Sequence, residues 1–190
     1  MKRKLSVILL LLCSFSLFAS VHYKANIDAA VGYNLATMRE SYLKTVSSVS
    51  MPKTRSQAAF FGDIIPFGMQ IGEHISFGAG GSLSYITRSN VSHSTQLRRY
   101  QAFGITAYFD FAFNYRWSAG IKGRVLWCRY IPFQDRFAAF DIEPYAKFCF
   151  FNRRMFSISA IAPVTIHIKK DVLSVRPSLG VDIAFKGVNQ

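Results

Sequence analysis

The segment Leu173-Ser174-Val175-Arg176-Pro177-Ser178-Leu179-Gly180-Val181-Asp182-Ile183-Ala184-Phe185-Lys186 decides the fold. Every odd-numbered residue in it is apolar or proline, and every even-numbered one is polar, charged or small. A β-strand turns successive side chains to opposite faces, so this segment has one apolar wall and one polar wall. The same alternation runs upstream through the rest of the chain. It is clear around Phe156 to Ile168, Ala138 to Phe150, Ala119 to Ile131, Phe103 to Tyr115, Ile75 to Tyr85 and Ala25 to Leu35. An eighth stretch, Ile64 to Gly72, is blurred: Ile65, Phe67, Met69 and Ile71 form its apolar face, but Phe60 and Ile64 fall on the other parity. Eight strands are predicted.

The connections between them carry a second signal. Ala36 to Gln57 and Thr87 to Arg99 are long and polar, and Pro132 to Phe137 is intermediate. Gly72 to His74, the region near Trp117, and Asn152 to Arg154 are short. Long and short alternate as in transmembrane barrels, with long loops outside and tight turns on the periplasmic side. Lys169 to Val172 is short where a long connection is expected.

Alternation alone does not say which face points inward, because a soluble lipocalin-like barrel alternates too, with its apolar face inside. Composition separates the two. The chain has 190 residues, 51% hydrophobic and only 17% charged, with 18 Phe, whereas a soluble surface usually carries roughly 25–35% charged residues. The polar face is largely Gly, Ser, Ala and Asn, which suits an eight-stranded lumen just wide enough for side chains to fill. Its larger members balance in sign: Asp28, Asp110, Asp141, Glu143 and Asp182 against Arg116, Lys122, Arg124, Lys147 and Arg176. Opposite charges with hydrogen bonds tolerate enclosure where isolated ones do not. Strand parity places Asp110 opposite Arg124, with Glu143 in reach of the same guanidinium, so a lumen charge network is expected. Pro66, Pro144, Pro163 and Pro177 fall within strands, where each removes a ladder donor, and bulges or broken pairing are expected there.

Lys2, Arg3 and Lys4 precede an apolar or small run from Leu5 to Phe18 that ends in Ala19 and Ser20. These are the three regions of a secretory signal peptide, predicted over residues 1–19 and cleaved after Ala19, with the barrel domain over 20–190. Cys13 follows Leu12 where a lipoprotein signal needs a small residue, which argues against lipidation. Export and a mean hydropathy of +0.19 argue against nucleic acid as a partner despite a net charge of +13.

The whole exported chain resembles the small eight-stranded outer-membrane barrels of Gram-negative-type envelopes, the group of outer-membrane proteins A (its barrel domain), X and W. The sharpest motif is Ser178 to Phe185, where Ser178, Gly180, Ile183 and Phe185 resemble the assembly signal read by the barrel-insertion machinery. This chain continues past the aromatic for five residues, Lys186 to Gln190. The resemblance implies an all-β, eight-stranded antiparallel up-and-down transmembrane β-barrel in the outer membrane. Its partners would be lipids and the insertion machinery, and the chain would be a monomer.

Little else suggests chemistry. His22, His74, His93 and His167 do not cluster at metal-ligand spacing, and no cofactor is expected. Ser92-His93-Ser94 resembles the sites of lipid-modifying barrel enzymes, but that loop holds no acid. Cys128 and Cys149 fall on neighbouring strands roughly 25–30 Å apart along the barrel, so two free lumen-facing thiols are predicted. The long connections are basic, with Arg39, Lys44, Lys53, Arg55, Arg88, Arg98 and Arg99 against Glu40, and could attract anionic surface molecules. The expected function is a non-enzymatic role in envelope structure, surface contact or narrow passage of small or hydrophobic solutes. The alternatives are a soluble periplasmic lipocalin-like binder and a lipid-modifying barrel enzyme.

Overall fold

A computed structural model of the chain describes residues 21–38, 54–87, 99–131, 136–169 and 172–187. The predicted signal segment and most of the long connections lie outside these. Eight strands follow one another: β1 (Val21–Met38), β2 (Thr54–Ile71), β3 (Ile75–Ile86), β4 (Tyr100–Ala112), β5 (Trp117–Tyr130), β6 (Arg136–Asn152), β7 (Phe156–Lys169) and β8 (Val172–Lys186). Each pairs antiparallel with the next, and β8 returns to β1 to close the ring. Closure leaves no strand edge, which is what lets a sheet stand in hydrocarbon with its backbone satisfied.

The barrel is inside out relative to a soluble one. Phe67, Leu83, Phe103, Ile105 and Leu179 lie on the outer wall, each more than half exposed. Asp141 and Arg176 are 0% exposed, Asp63 and Glu143 1%, and Lys122 and Arg124 2%. The interior is therefore not the wholly apolar one of a lipocalin-like binder, although Phe61, Ile86 and Leu126 belong to a buried apolar cluster within it.

β1 and β2 extend further than the hydropathy pattern suggested. Leu35 pairs with Ser56 and Thr37 with Thr54, which shortens the first connection to residues 39–53. The blurred parity of β2 has a local cause. Between Ile64 and Phe67 the register shifts against β3, and the matching shift against β1 falls between Tyr23 and Asn26, so β2 carries one extra residue at Ile65–Pro66. A β-bulge of this kind flips the parity upstream of it. Phe60 and Ile64 consequently face outward together with Phe67 and Met69, and Asp63 turns into the lumen. The Tyr23 hydroxyl donates to the Pro66 carbonyl across the bulge.

The other three prolines show the broken pairing that was expected as the alternative to a bulge. Register is kept through Pro144, Pro163 and Pro177, and no bulge forms at any of them. Pairing instead skips two rungs on one side of each: β6–β7 beside Pro144, β7–β8 beside Pro163, and β8–β1 beside Pro177. Side chains bridge two of these gaps. Thr165 Oγ1 donates to Glu143 Oε2 at 2.5 Å, and Arg176 Nε donates to Asn34 Oδ1 at 2.7 Å. The missing backbone donor is thus replaced across the same gap by a lumen side chain.

At Gly78 and Gly120 a tyrosine ring occupies the place a Cβ would take. At Gly120 a Cβ would lie 2.4 Å from the Tyr145 hydroxyl oxygen and from the Phe109 carbonyl oxygen, and at Gly78 a Cβ would lie 2.7 Å from Cε1 of Tyr108. Gly120 faces Tyr145 and Gly78 faces Tyr108 across the ladder. Each tyrosine ring covers the bare backbone of its partner and fills lumen volume that two larger side chains could not share.

Candidate functional site

The lumen is organised in three storeys. In the middle one, Lys122 and Arg124 project inward from β5. Lys122 Nζ lies 2.5 Å from Asp28 Oδ2, 3.0 Å from Asp63 Oδ2 and 3.6 Å from Glu143 Oε1. Arg124 grips Asp63 in bidentate fashion, Nε to Oδ1 at 3.0 Å and Nη2 to Oδ2 at 2.6 Å. It grips Glu143 in the same manner, at 2.6 and 2.9 Å. β1 and β5 stand opposite each other in an eight-strand ring, so the Lys122–Asp28 pair spans the lumen from wall to wall.

The storey near the long connections is built on Asp141. His167 Nδ1 is 2.5 Å from its Oδ1, and Arg176 Nη1 is 3.5 Å from its Oδ2. Arg176 also donates to the Tyr100 hydroxyl, from β8 to β4 and again across the full ring. The far nitrogen of His167 is 3.4 Å from the same hydroxyl. Asn34 donates to Gln57 Oε1 at 2.9 Å and completes the layer.

The storey near the tight turns is more open, with a cavity of about 410 Å³ lined in part by Lys24, Asp110, Lys147, Cys149 and Asp182. Lys147 pairs with Asp182 at 3.2 Å, and Asn26 donates to Asp182 Oδ1 at 3.0 Å. Lys24 donates to Ser76 Oγ at 3.0 Å and lies 3.9 Å from Asp110 Oδ2.

Nine of the ten charged residues assigned to the lumen from the sequence are buried in the barrel. They are Asp28, Asp110, Lys122, Arg124, Asp141, Glu143, Lys147, Arg176 and Asp182. Arg116 is the exception: it lies in the turn between β4 and β5, exposed, with its guanidinium over the Tyr115 ring at 5.2 Å. The connection is longer than the alternation implied, since β4 ends at Ala112 and β5 begins at Trp117. The Asp110–Arg124 contact is also corrected. Arg124 stands opposite Thr106, and Asp110 opposite Gly120, a full storey away. Asp63 is the member that parity concealed; the bulge at Pro66 was the available signal.

Cys128 and Cys149 are both free, the first buried and the second lining the open storey. Ser178, Gly180, Ile183 and Phe185 lie in β8, with Ser178 facing the lumen and Phe185 the outer wall. Of the basic connection residues, Arg39, Lys44, Lys53, Arg88 and Arg98 lie outside the described residues. Arg55 lies in β2, and Arg99 is exposed just before β4.

His167 and Asp141 form the only close His–carboxylate pair among the described residues. Both are at most 2% exposed, and the free ring nitrogen faces a tyrosine hydroxyl. The pair joins β6 to β7 and, through Tyr100 and Arg176, ties both to β4 and β8. No group of three or more metal-ligating residues occurs among the described residues.

No protein-family model matches the chain, and no curated protein matches it. Solved structures do. Neisserial surface protein A superposes with a TM-score of 0.56 at 11% identity, over 84% of this chain and 96% of that one. The chain has the fold of the small eight-stranded outer-membrane barrels. The attachment invasion locus protein Ail of Yersinia pestis also matches, at 17% identity over 85% of this chain and 99% of that one, with a TM-score of 0.36.

Proposed function

We propose that this chain is a monomeric, non-enzymatic barrel of the outer membrane that contributes to envelope structure and surface contact and conducts nothing through its centre. The carrying observation is the middle storey. Asp28, Asp63, Lys122, Arg124 and Glu143 are each at most 5% exposed and are linked from wall to wall. Eight strands leave room only for side chains, and these side chains are held by charge-assisted bonds that a passing solute would have to break. Narrow passage, which the sequence left open, is disfavoured on that ground. The apolar outer wall supports lipid as the surrounding medium, and the β8 motif supports insertion by the barrel-assembly machinery.

The test is reconstitution into a planar bilayer, alongside gel mobility before and after boiling. The expected result is a band that shifts on boiling and no steady conductance, with conductance gained when Arg124 and Glu143 are both replaced by alanine. Steady conductance from the unaltered protein would overturn the closed-lumen reading, and an unshifted band would overturn the barrel itself.

A further inference from the structure

The outer wall carries an asymmetry that neither the lumen nor the fold explains. Following the strand pairing around the wall from β2 to β6, one row reads Phe60, Tyr85, Gln101, Arg129, Arg136. The next row toward the tight turns reads Gly62, Leu83, Phe103, Trp127, Ala138. Arg129 and Arg136 are both exposed and lie directly opposite each other, with Arg99 exposed at the adjoining end of β4. Like charges facing each other across a strand pair are unfavourable unless something of opposite sign sits between them. Among the described residues neither guanidinium has a carboxylate partner.

The first half of the same two rows forms a hollow of about 460 Å³ at Gly62, walled by Phe60, Leu83, Tyr85, Gln101 and Phe103. Phe103, at the β4 wall of that hollow, stacks on Trp127 at 6.0 Å, so apolar side chains continue from it to Trp127, one row below Arg129 on β5. The β4–β6 wall therefore offers hydrocarbon contact at Phe103 and Trp127 and two guanidinium forks one row above them, at the end of the barrel where the long connections emerge.

We infer that this face holds one lipid whose head presents phosphate without a compensating amine, its phosphate between Arg129 and Arg136 and an acyl chain against Phe103 and Trp127. Guanidinium matches phosphate through parallel N–H bonds, which an aromatic belt alone does not supply. The inference rests on the outer-membrane reading, because only a bilayer places a head group at that height on the wall.

The two tryptophans of the chain allow a direct test. In the full chain carrying Trp117→Phe, Trp127 is the only indole and reports on its lipid neighbours. The protein is refolded into phosphatidylcholine vesicles doped with bromine-labelled phosphatidylglycerol or, separately, with bromine-labelled phosphatidylcholine. Quenching of Trp127 is expected to show a preference of roughly fivefold or more for phosphatidylglycerol. The double variant Arg129→Gln, Arg136→Gln is expected to lose the preference while keeping its boiling-dependent mobility. If it does not fold, Arg129→Gln alone should show a reduced preference. Equal quenching by the two lipids, or a preference that survives the arginine replacements, would overturn the inference and leave the barrel reading standing. Absence of quenching by either lipid would instead overturn the placement of this wall in a bilayer. Inorganic phosphate is expected to leave the preference intact, and its abolition would assign the site to a free ion and not to a lipid.

Discussion

Arg124 is the residue on which the lumen turns. Its guanidinium makes four hydrogen bonds to two carboxylates, and all three groups are at most 2% exposed. Removing one member of a buried ionic set leaves the others charged and unpaired, which costs roughly 3–5 kcal/mol. Arg124→Leu is therefore expected to lower the urea midpoint of the refolded barrel substantially, with mobility on an unboiled gel as the readout. Arg124→Lys, which keeps charge but loses the fork, should fall between the two. A leucine variant as stable as the parent would show that the cluster does not hold the barrel. The residue types were readable in the sequence, because alternation alone put Lys122, Arg124 and Glu143 on one face. The pairing was not: Asp63 sat on the wrong parity, and Asp110 was taken as the partner of Arg124 although the pairing puts Asp110 opposite Gly120. Which carboxylate meets which cation depends on stagger across the lumen, and stagger is a property of closure that no single strand encodes.

Individual strands differ in how firmly they are stitched. From Tyr100–Tyr130 to Ala112–Ser118 every rung between β4 and β5 is paired, whereas β6–β7, β7–β8 and β8–β1 each skip rungs beside Pro144, Pro163 and Pro177. Protection of an amide reflects the free energy of the opening that exposes it. Backbone amides next to the gaps, such as those of Asn34 and Ser178, are expected to exchange with deuterium well before those of Phe103 to Ala107. Equal protection on the two sides would mean that the side-chain bridges restore what the prolines remove. Sequence alone marked all four prolines as sites of a bulge or of broken pairing and did not say which would take which form. Pro66 sits with an extra residue and is absorbed as a bulge, while the other three keep register and lose only rungs, a distinction that appears once the neighbours on both sides are known.

At the scale of the whole molecule, the storeys differ in access. Cys149 lines the cavity near the tight turns and Cys128 is 2% exposed near the other end. A thiol-reactive maleimide is expected to label Cys149 in the folded barrel and Cys128 only after boiling in denaturant. Prompt labelling of both in the folded state would contradict the sealed upper lumen. The pairing of Lys24 with Lys186 and of Met38 with Val172 has a further consequence for biogenesis. Those rungs join the first strand of the barrel to the eighth, so the hoop cannot be buckled until β8 is in place. Until then the unclosed sheet has two bare selvedges.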